Sequence, residues 1–233
     1  MIVISIADVP IAIDNKHKFI VALAKDYITD SEPAFTVSAD EADVSREREA
    51  SGSEFSDGYL ESIVVFRKIA ERLPEFDAVV FHGAVLNKSG KAYAFTAKSG
   101  VGKTTHTRLW LSEFGDEVHY LNGDKPVLRL IDGKPYAFGT PWRGKEGYGR
   151  AESAPLEAIA LLERAEQNTA EPIPYSEGTV RLMKQIYIPK NRACALLAMR
   201  VADRILTTVR FVELKCNMDK EAARVAARAM TKD

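Results

Sequence analysis

The chain of 233 residues has only two cysteines and carries no excess of charge of either sign. Cys194 and Cys216 fit no metal-binding spacing, so we expect buried thiols in a protein of a reducing compartment. With 32 basic and 33 acidic residues, the sequence lacks the electrostatic signature of a protein that binds nucleic acid or an anionic membrane. It also lacks the apolar run of about 20 residues that a membrane-spanning helix needs. These absences predict a soluble, cytoplasmic protein.

The N-terminal segment lacks the basic residues that open a signal peptide. Residues 1–6 are apolar and are followed by Asp8 and Pro10, so we expect a first strand there. Because 46% of the residues are apolar, the chain can bury a single core. We predict a strand-rich segment over residues 1–58, packed on the same domain, and a main domain over residues 59–233.

Within the N-terminal segment, residues 39–58 are polar and acidic, which is typical of an exposed excursion or a mobile loop. Elsewhere the spacing of apolar residues predicts the elements. Strands are predicted at residues 19–23, 35–37, 78–86, 91–96, 118–121, 127–131, 136–138 and 209–214, and helices at 59–73, 104–114, 176–187, 191–207 and after a capping Asp219. Residues 154–163 stay open between helix and strand. Glu61, Arg67 and Lys68 are expected on a solvated helix face.

The most informative pattern is the run AKSGVGKT at residues 97–104. It matches the phosphate-binding loop (Walker A) G-x-x-x-x-G-K-[ST], with alanine in place of the first glycine. In such a loop the backbone N–H groups surround a polyphosphate, the lysine reaches the β- and γ-phosphates, and the hydroxyl residue ligates Mg²⁺. We therefore predict a site for ATP and Mg²⁺ formed by Ser99, Gly100, Val101, Gly102, Lys103, Thr104 and Thr105.

The residues around the loop supply the context that the motif requires. A strand at 91–96 and a helix at 104–114 would place a helix N-terminus against phosphate. The turn at 87–90 predicts that the strand entering the loop pairs antiparallel with its predecessor. Doubly wound nucleotide-binding folds usually enter this loop from a parallel βαβ unit, so antiparallel pairing would distinguish the present fold from them.

A magnesium-dependent phosphate loop needs a carboxylate on the opposite side of the metal. Asp124 follows the apolar run at 118–121 and is predicted to hold Mg²⁺ with Thr104; the alternative is an ordinary turn aspartate. His82 lies within the apolar run 78–86. A lone histidine in such a run is usually a hydrogen-bonded core residue, so the pattern alone assigns it no catalytic role.

A second cluster of interest is the run TPWRGK at residues 140–145. Arg143 and Lys145 beside a glycine turn could form a clamp that offsets charge on a transferring phosphoryl group. The alternative is a basic surface loop, since isolated charged loops are common. Trp142 would either stack on a nucleobase or fill the core.

Residues 81–103 resemble HPr serine kinase/phosphorylase. In that family a His-Gly pair closes one strand segment, and the loop S-G-V-G-K follows at the distance that separates His82 from Lys103 here. The wider superfamily includes ATP-dependent phosphoenolpyruvate carboxykinase, which shares the phosphate loop and an acidic pair on the next strand. Residues 102–110, 139–142 and 216–218 are similar to a bacterial branch of HPr-kinase-related proteins.

The resemblance covers about residues 59–230 and implies an α/β protein with the phosphoenolpyruvate carboxykinase-like P-loop fold, a mixed twisted sheet flanked by helices. It implies that Lys103 and Thr104 contact the phosphates and Mg²⁺. Asp124 would contact the metal or the acceptor hydroxyl, and His82 would lie near the transferred group. HPr kinases assemble, and edge strands within residues 1–38 would support a homo-oligomer.

The sequence departs from the resemblance at Gly123, where relatives carry the first of two adjacent acids. Loss of a general base would slow phosphoryl transfer by ~10²–10⁴ while leaving nucleotide binding intact. The leading hypothesis is a kinase that moves the γ-phosphate of ATP to a hydroxyl of a protein serine or a small molecule. The alternative is a nucleotide-binding regulatory or partner-binding protein. A carboxykinase activity is a third alternative, which would need a larger N-terminal domain than residues 1–58.

Overall fold

The computed structural model describes residues 1–51, 54–98 and 100–231. The strands are β1 (Ile2–Ile6), β2 (Val9–Asp14), β3 (Phe35–Ser38), β4 (Ala78–Val80), β5 (Ala84–Lys88), β6 (Lys91–Thr96), β7 (Val118–Asn122), β8 (Val127–Ile131), β9 (Lys134–Phe138), β10 (Ser153–Arg164), β11 (Thr169–Pro172) and β12 (Arg210–Cys216). The α-helices are α1 (Phe19–Leu23), α2 (Glu41–Ser51), α3 (Asp57–Arg72), α4 (Lys103–Phe114), α5 (Tyr175–Met183), α6 (Arg192–Thr208) and α7 (Glu221–Met230).

The main sheet of the described chain has nine strands, in the order β4-β8-β9-β10-β6-β5-β7, with β12 beside β10 and β11 beside β12. Strand β10 runs parallel to β6 and β12, whereas the other pairs are antiparallel. The pairing of β10 with β6 shifts register between Leu156 and Ala158, an irregularity of the kind that bends a strand. The result is a curled, mixed sheet with flanking helices, in agreement with the predicted α/β class.

Strand β10 settles the ambiguous region at 154–163. Its alanine and leucine residues favour a helix by intrinsic propensity, but β6 and β12 pair with both of its edges. Ala158, Ile159 and Ala160 are fully buried in succession. Such a run is typical of a strand covered on both faces of the sheet. Tertiary burial therefore overrides propensity here.

The β5–β6 hairpin carries the chain into the phosphate loop. Its strands pair antiparallel, from Ala84 opposite Phe95 to Lys88 opposite Lys91, which confirms the pairing predicted from the turn. Beyond the loop, α4 packs on β5, β6, β7 and α7. Trp110 of α4 is fully buried and its ring lies 5.1 Å from that of Phe95. This aromatic contact anchors the helix to the strand that precedes the loop.

The N-terminal segment forms a separate three-stranded sheet, with β1 and β2 antiparallel and β2 and β3 parallel. It shares a hydrophobic core with α3 and β4, to which Ile13, Val65 and Val80 contribute. The strand predicted at residues 19–23 is instead the short helix α1, because only Ile20 of that run is buried. The division into parts at residue 58 stays a prediction.

Residues 39–58, which their composition predicts to be an exposed excursion or a mobile loop, contain the helix α2, and most residues of α2 are exposed. Ion pairs from Arg67 to Glu47 and from Lys68 to Asp43 join α2 to α3. Glu61 is 1% exposed and accepts hydrogen bonds from the backbone N–H groups of Lys16 and His17. The prediction of a solvated face was therefore wrong for Glu61, whereas Arg67 and Lys68 keep 51% and 41% of their side chains exposed.

Three further expectations need correction. The strand predicted at 78–86 is interrupted, so that β4 and β5 flank His82 and Gly83. The helix predicted at 176–187 ends at Met183. Asp219 does not cap the last helix, whose N-cap is Lys220. Both cysteines are buried free thiols, as predicted. Among the described residues, no helix is both long and apolar enough to cross a membrane.

Candidate functional site

The phosphate loop connects β6 to α4 and has the backbone that its glycines permit. Gly100 has a φ of 78° and Gly102 a φ of 120°, conformations that residues with a Cβ rarely adopt. Helix α4 begins directly afterwards at Lys103, so its first N–H groups lie next to the loop. Ala97, which replaces the first glycine of the motif, is buried in the core beneath α4. Ser99, also predicted to bind the nucleotide, lies outside the described residues.

Three separate segments converge beside this loop. The Nζ atom of Lys103 lies 3.9 Å from Oδ1 of Asp124, and the Nε2 atom of His82 lies 3.7 Å from the same oxygen. The Nζ atom of Lys125 also lies 3.9 Å from it. One carboxylate oxygen is therefore surrounded by two ammonium groups and an imidazole. The structure brings together His82, Lys103 and Asp124, and adds Lys125, which sequence reasoning missed.

His82 occupies the interruption between β4 and β5. The backbone N–H of His82 donates to the carbonyl of Gln185 at 2.7 Å, and the backbone carbonyl of His82 accepts a hydrogen bond from the hydroxyl of Thr96 at 2.9 Å. A Cβ on Gly83 would lie 2.7 Å from the carbonyl oxygen of Phe95, so only glycine allows this close approach. The backbone is thus held firmly, while 47% of the His82 side chain stays exposed. The prediction of a buried core histidine was wrong.

Asp124 and Lys125 are positioned by a buried asparagine. The Oδ1 atom of Asn122 accepts hydrogen bonds from the N–H of Asp124 at 2.9 Å and the N–H of Lys125 at 2.8 Å. Its Nδ2 donates to Thr140, whose hydroxyl in turn donates to the carbonyl of Lys125 at 2.8 Å. Asn122 is fully buried, so this network holds a rigid turn at the end of β7.

The charges in the cluster shift one another's titration. Burial lowers the pKa of His82, and the ammonium groups of Lys125 and Lys103 lower it further against the opposing effect of Asp124. The imidazole is therefore neutral at pH 7 and free to accept a proton. Burial also lowers the pKa of both lysines, again opposed by Asp124. Desolvated cations of this kind gain most when an anion binds beside them.

The 143–149 loop, which contains three glycines, packs over the other side of the turn. A guanidinium nitrogen (Nη2) of Arg143 lies 3.3 Å from an Oδ2 oxygen of Asp26, and the guanidinium lies over the ring of Tyr27. Lys145 is exposed. The structure thus directs Arg143 towards the N-terminal segment, and an anion clamp formed by Arg143 and Lys145 stays a prediction. Trp142 is partly buried and packs against the hydrophobic core, and its Nε1 donates to the carbonyl of Ser62.

This loop packs tightly against Gly123. A Cβ on Gly123 would lie 3.2 Å from the carbonyl oxygen of Arg143 and 3.3 Å from that of Tyr148. The N–H of Gly123 donates to the carbonyl of Tyr148 at 2.9 Å. The glycine that replaces the first acid of the expected pair is therefore built into the packing between the turn and the loop.

The side chains present suit a magnesium ion bound mainly by phosphate. Mg²⁺ is commonly held by one or two carboxylates together with waters and substrate phosphates, rather than by an all-protein cage. Within the described residues no cluster of three His, Cys, Asp or Glu side chains could hold a metal by itself. Asp124, with 32% of its side chain exposed, would supply one carboxylate, and Thr104, predicted to be the second ligand, is the second residue of α4.

Arg164, at the end of β10, also escaped the sequence analysis. Its Nε donates to the carbonyl of Val101 at 2.9 Å, and its guanidinium also donates to the carbonyl of Gly100. It therefore braces the phosphate loop from a position 63 residues beyond Val101 in the chain. No local pattern marks it, whereas the Asn-Gly-Asp turn at 122–124 offered a recognisable signal for the role of Asn122.

No protein-family model and no curated protein sequence matches the chain. Among solved structures, the chain is similar to the HPr(Ser) kinase/phosphatase from Coxiella burnetii, with a TM-score of 0.36 and 8% sequence identity. The similarity covers 64% of this chain and 91% of that chain. This is a distant likeness, which by itself indicates no function for the chain.

Proposed function

We propose that this protein is a cytoplasmic, ATP- and Mg²⁺-dependent phosphotransferase with a phosphoenolpyruvate carboxykinase-like P-loop fold, which moves the γ-phosphate of ATP to a hydroxyl acceptor. The observation that carries the proposal is the convergence of His82 and of Lys103, the lysine of the phosphate loop, on Oδ1 of Asp124, at 3.7 Å and 3.9 Å. A phosphate-binding loop alone indicates nucleotide binding. A carboxylate and a neutral imidazole beside its lysine add groups able to act on an acceptor.

The basic side chains would bind the transferring phosphoryl group. Lys103 and Lys125 approach Asp124 from two segments, so an anion placed between them would contact both ammonium groups. Mg²⁺, held by Asp124 and Thr104, supplies further charge neutralisation on the phosphates when bound. Such fixed charges favour the transition state because they need no reorganisation during the reaction.

The neutral imidazole of His82 would accept the proton of the hydroxyl acceptor. As the acceptor oxygen forms its bond to the γ-phosphorus, its proton passes to Nε2 and the bond from phosphorus to the bridging oxygen breaks, leaving ADP with the electron pair. Asp124 lies beside two ammonium groups, which suits it better to hold the metal than to accept the proton. The exposed half of His82 leaves room for an acceptor to approach.

The proposal is tested by titrating Mg·ATP into the wild type and Lys103→Ala and by following labelled-phosphate transfer to candidate acceptors. We expect micromolar binding and transfer in the wild type, both lost in the variant. Lys134→Ala, at an exposed position on β9, is the matched control and should behave as the wild type. Undiminished labelling by Lys103→Ala would refute the proposal.

A second function is favoured by one observation, the tight packing of Gly123 against the 143–149 loop, where relatives would carry a second acid. A site with a single acid could bind Mg·ATP without transferring phosphate, as a nucleotide-sensing regulatory protein would. That function predicts saturable binding that depends on Lys103, with no ATP turnover beyond background in the presence of any acceptor fraction.

A further inference from the structure

The hydroxyl of Thr96 joins the phosphate loop to the backbone of His82. Thr96 is the last residue of β6, directly before the loop, and it is fully buried. The parallel pairing with β10, in which Thr96 lies opposite Leu161, fixes its backbone. Its Oγ1 lies 2.9 Å from the carbonyl oxygen of His82 and 2.7 Å from Oε1 of Gln185. Because a hydroxyl carries a single proton, the two acceptor oxygens share it.

Gln185, two residues beyond the end of α5, contacts His82 by two routes. Its carbonyl accepts the backbone N–H of His82 at 2.7 Å, and its amide oxygen accepts the hydroxyl of Thr96. Two residues further on, the N–H of Tyr187 donates to the carbonyl of Val80 at 2.9 Å. The segment that follows α5 is therefore attached to the chain at the end of β4 and again at His82.

The contacts of Thr96 and Gln185 depend on their side chains, unlike other hydrogen bonds beside His82. The N–H of Gly83 donates to the carbonyl of Asp124 at 3.1 Å, a bond between main-chain groups that most residue types could make. The Thr96 hydroxyl and the Gln185 amide are specific to these two residue types. Through them the sequence sets where His82 lies relative to the phosphate loop.

We propose that Thr96 and Gln185 are positioning residues for phosphoryl transfer, which hold the imidazole of His82 at the correct distance from a phosphoryl group bound by the loop. The inference rests on the proposed function, because that function assigns to His82 the role of proton acceptor. Both residues act through the backbone of His82 and need no contact with the substrate. Since a misplacement of about 1 Å can cost about 10²-fold in rate, a contact that fixes such a group has a large effect on transfer.

Calorimetric titrations of Mg·ADP with and without aluminium fluoride separate ground-state binding from stabilisation of the transition state. Aluminium fluoride takes the place of the transferring phosphoryl group, with a water molecule as the acceptor. We expect the wild type to bind Mg·ADP at least about a hundredfold more tightly when the fluoride is present. Thr96→Val should lose at least about tenfold of this gain, while its affinity for Mg·ADP alone stays within about twofold of the wild type.

The other variants separate positioning from packing. Thr96→Ser keeps the hydroxyl and should restore the gain. Gln185→Leu, at a partly buried position outside the sheet, should reduce the gain as Thr96→Val does and gives a second test if the valine variant fails to fold. Ser62→Ala removes another buried hydroxyl that donates to a backbone carbonyl, so it is the matched control and should behave as the wild type.

The possible outcomes distinguish the two proposals. An undiminished gain in folded Thr96→Val and Gln185→Leu, or a loss that Thr96→Ser does not reverse, would overturn the positioning role. Equal losses of affinity with and without the fluoride would also overturn it, because they would indicate damage to the phosphate loop alone. Failure of the wild type to bind Mg·ADP, or to gain affinity with the fluoride, would instead overturn the proposed function.

Discussion

Gly123→Asp tests whether the missing acid can be restored. The resemblance suggests that an aspartate there would complete an acidic pair. The structure predicts the opposite, because the new Cβ would lie 3.2 Å and 3.3 Å from two carbonyl oxygens of the 143–149 loop. An ionised carboxylate has no hydrogen-bond donor to offer these oxygens. We therefore expect loss of stability without gain of activity.

The magnitude follows from overpacking, which typically costs about 1–3 kcal/mol in a well-packed site. For a domain of this size each kcal/mol lowers Tm by roughly 2–4 °C, so we expect a decrease of about 2–12 °C. Thermal unfolding with and without Mg·ATP measures it. Labelled-phosphate transfer in the same preparations shows whether the added acid changes the chemistry.

Gly123→Ala is the control that adds the Cβ without the charge. Gly123→Ala should show the loss of stability that steric crowding alone causes, and Gly123→Asp should be less stable than Gly123→Ala. An aspartate variant with unchanged Tm and raised transfer activity would refute the packing argument and support the missing-acid explanation.

Three further changes test other parts of the structure. Glu61→Ala should lower the free energy of unfolding by about 2–4 kcal/mol in urea titrations, since the buried carboxylate accepts two backbone hydrogen bonds. Lys125→Met should weaken Mg·ATP binding about tenfold by calorimetry, through loss of a charge-assisted contact to phosphate. The pKa of His106, about 4 against an ordinary 6.5, implies that the unfolded chain takes up a proton first as pH falls. Its contribution should make unfolding about 2 kcal/mol easier at pH 5 than at pH 7.

Each of these has a matched comparison. Glu61→Gln retains one acceptor oxygen and should lose about half as much stability as Glu61→Ala. Equal stability of both variants and the wild type would contradict the role of Glu61 in holding the backbone of residues 16 and 17. Lys125→Arg should retain most of the affinity. In His106→Gln, the free energy of unfolding should fall between pH 7 and pH 5 by about 2 kcal/mol less than in the wild type. An unchanged pH dependence of the free energy of unfolding would exclude the buried neutral imidazole.

The local features of the site were predictable from the sequence. The strand, the glycine-rich loop and the helix at 91–114 depend on neighbouring residues, because glycines allow the required backbone and the apolar spacing marks the flanking elements. The β5–β6 hairpin was likewise marked by its turn. Asp124 was predicted as the acidic partner because it follows an apolar strand.

The tertiary structure alone decided which side chains meet. His82 is exposed because β4 and β5 separate around Gly83, and Lys125 enters the site because Asn122 fixes the turn. The strand at β10 and the burial of Glu61 depend on partners far along the chain. Turn geometry and helix starts follow from short-range backbone preferences. Long-range contacts, which no local pattern specifies, create the surroundings of the Asp124 carboxylate, the packing at Gly123 and a cavity beside Gly102.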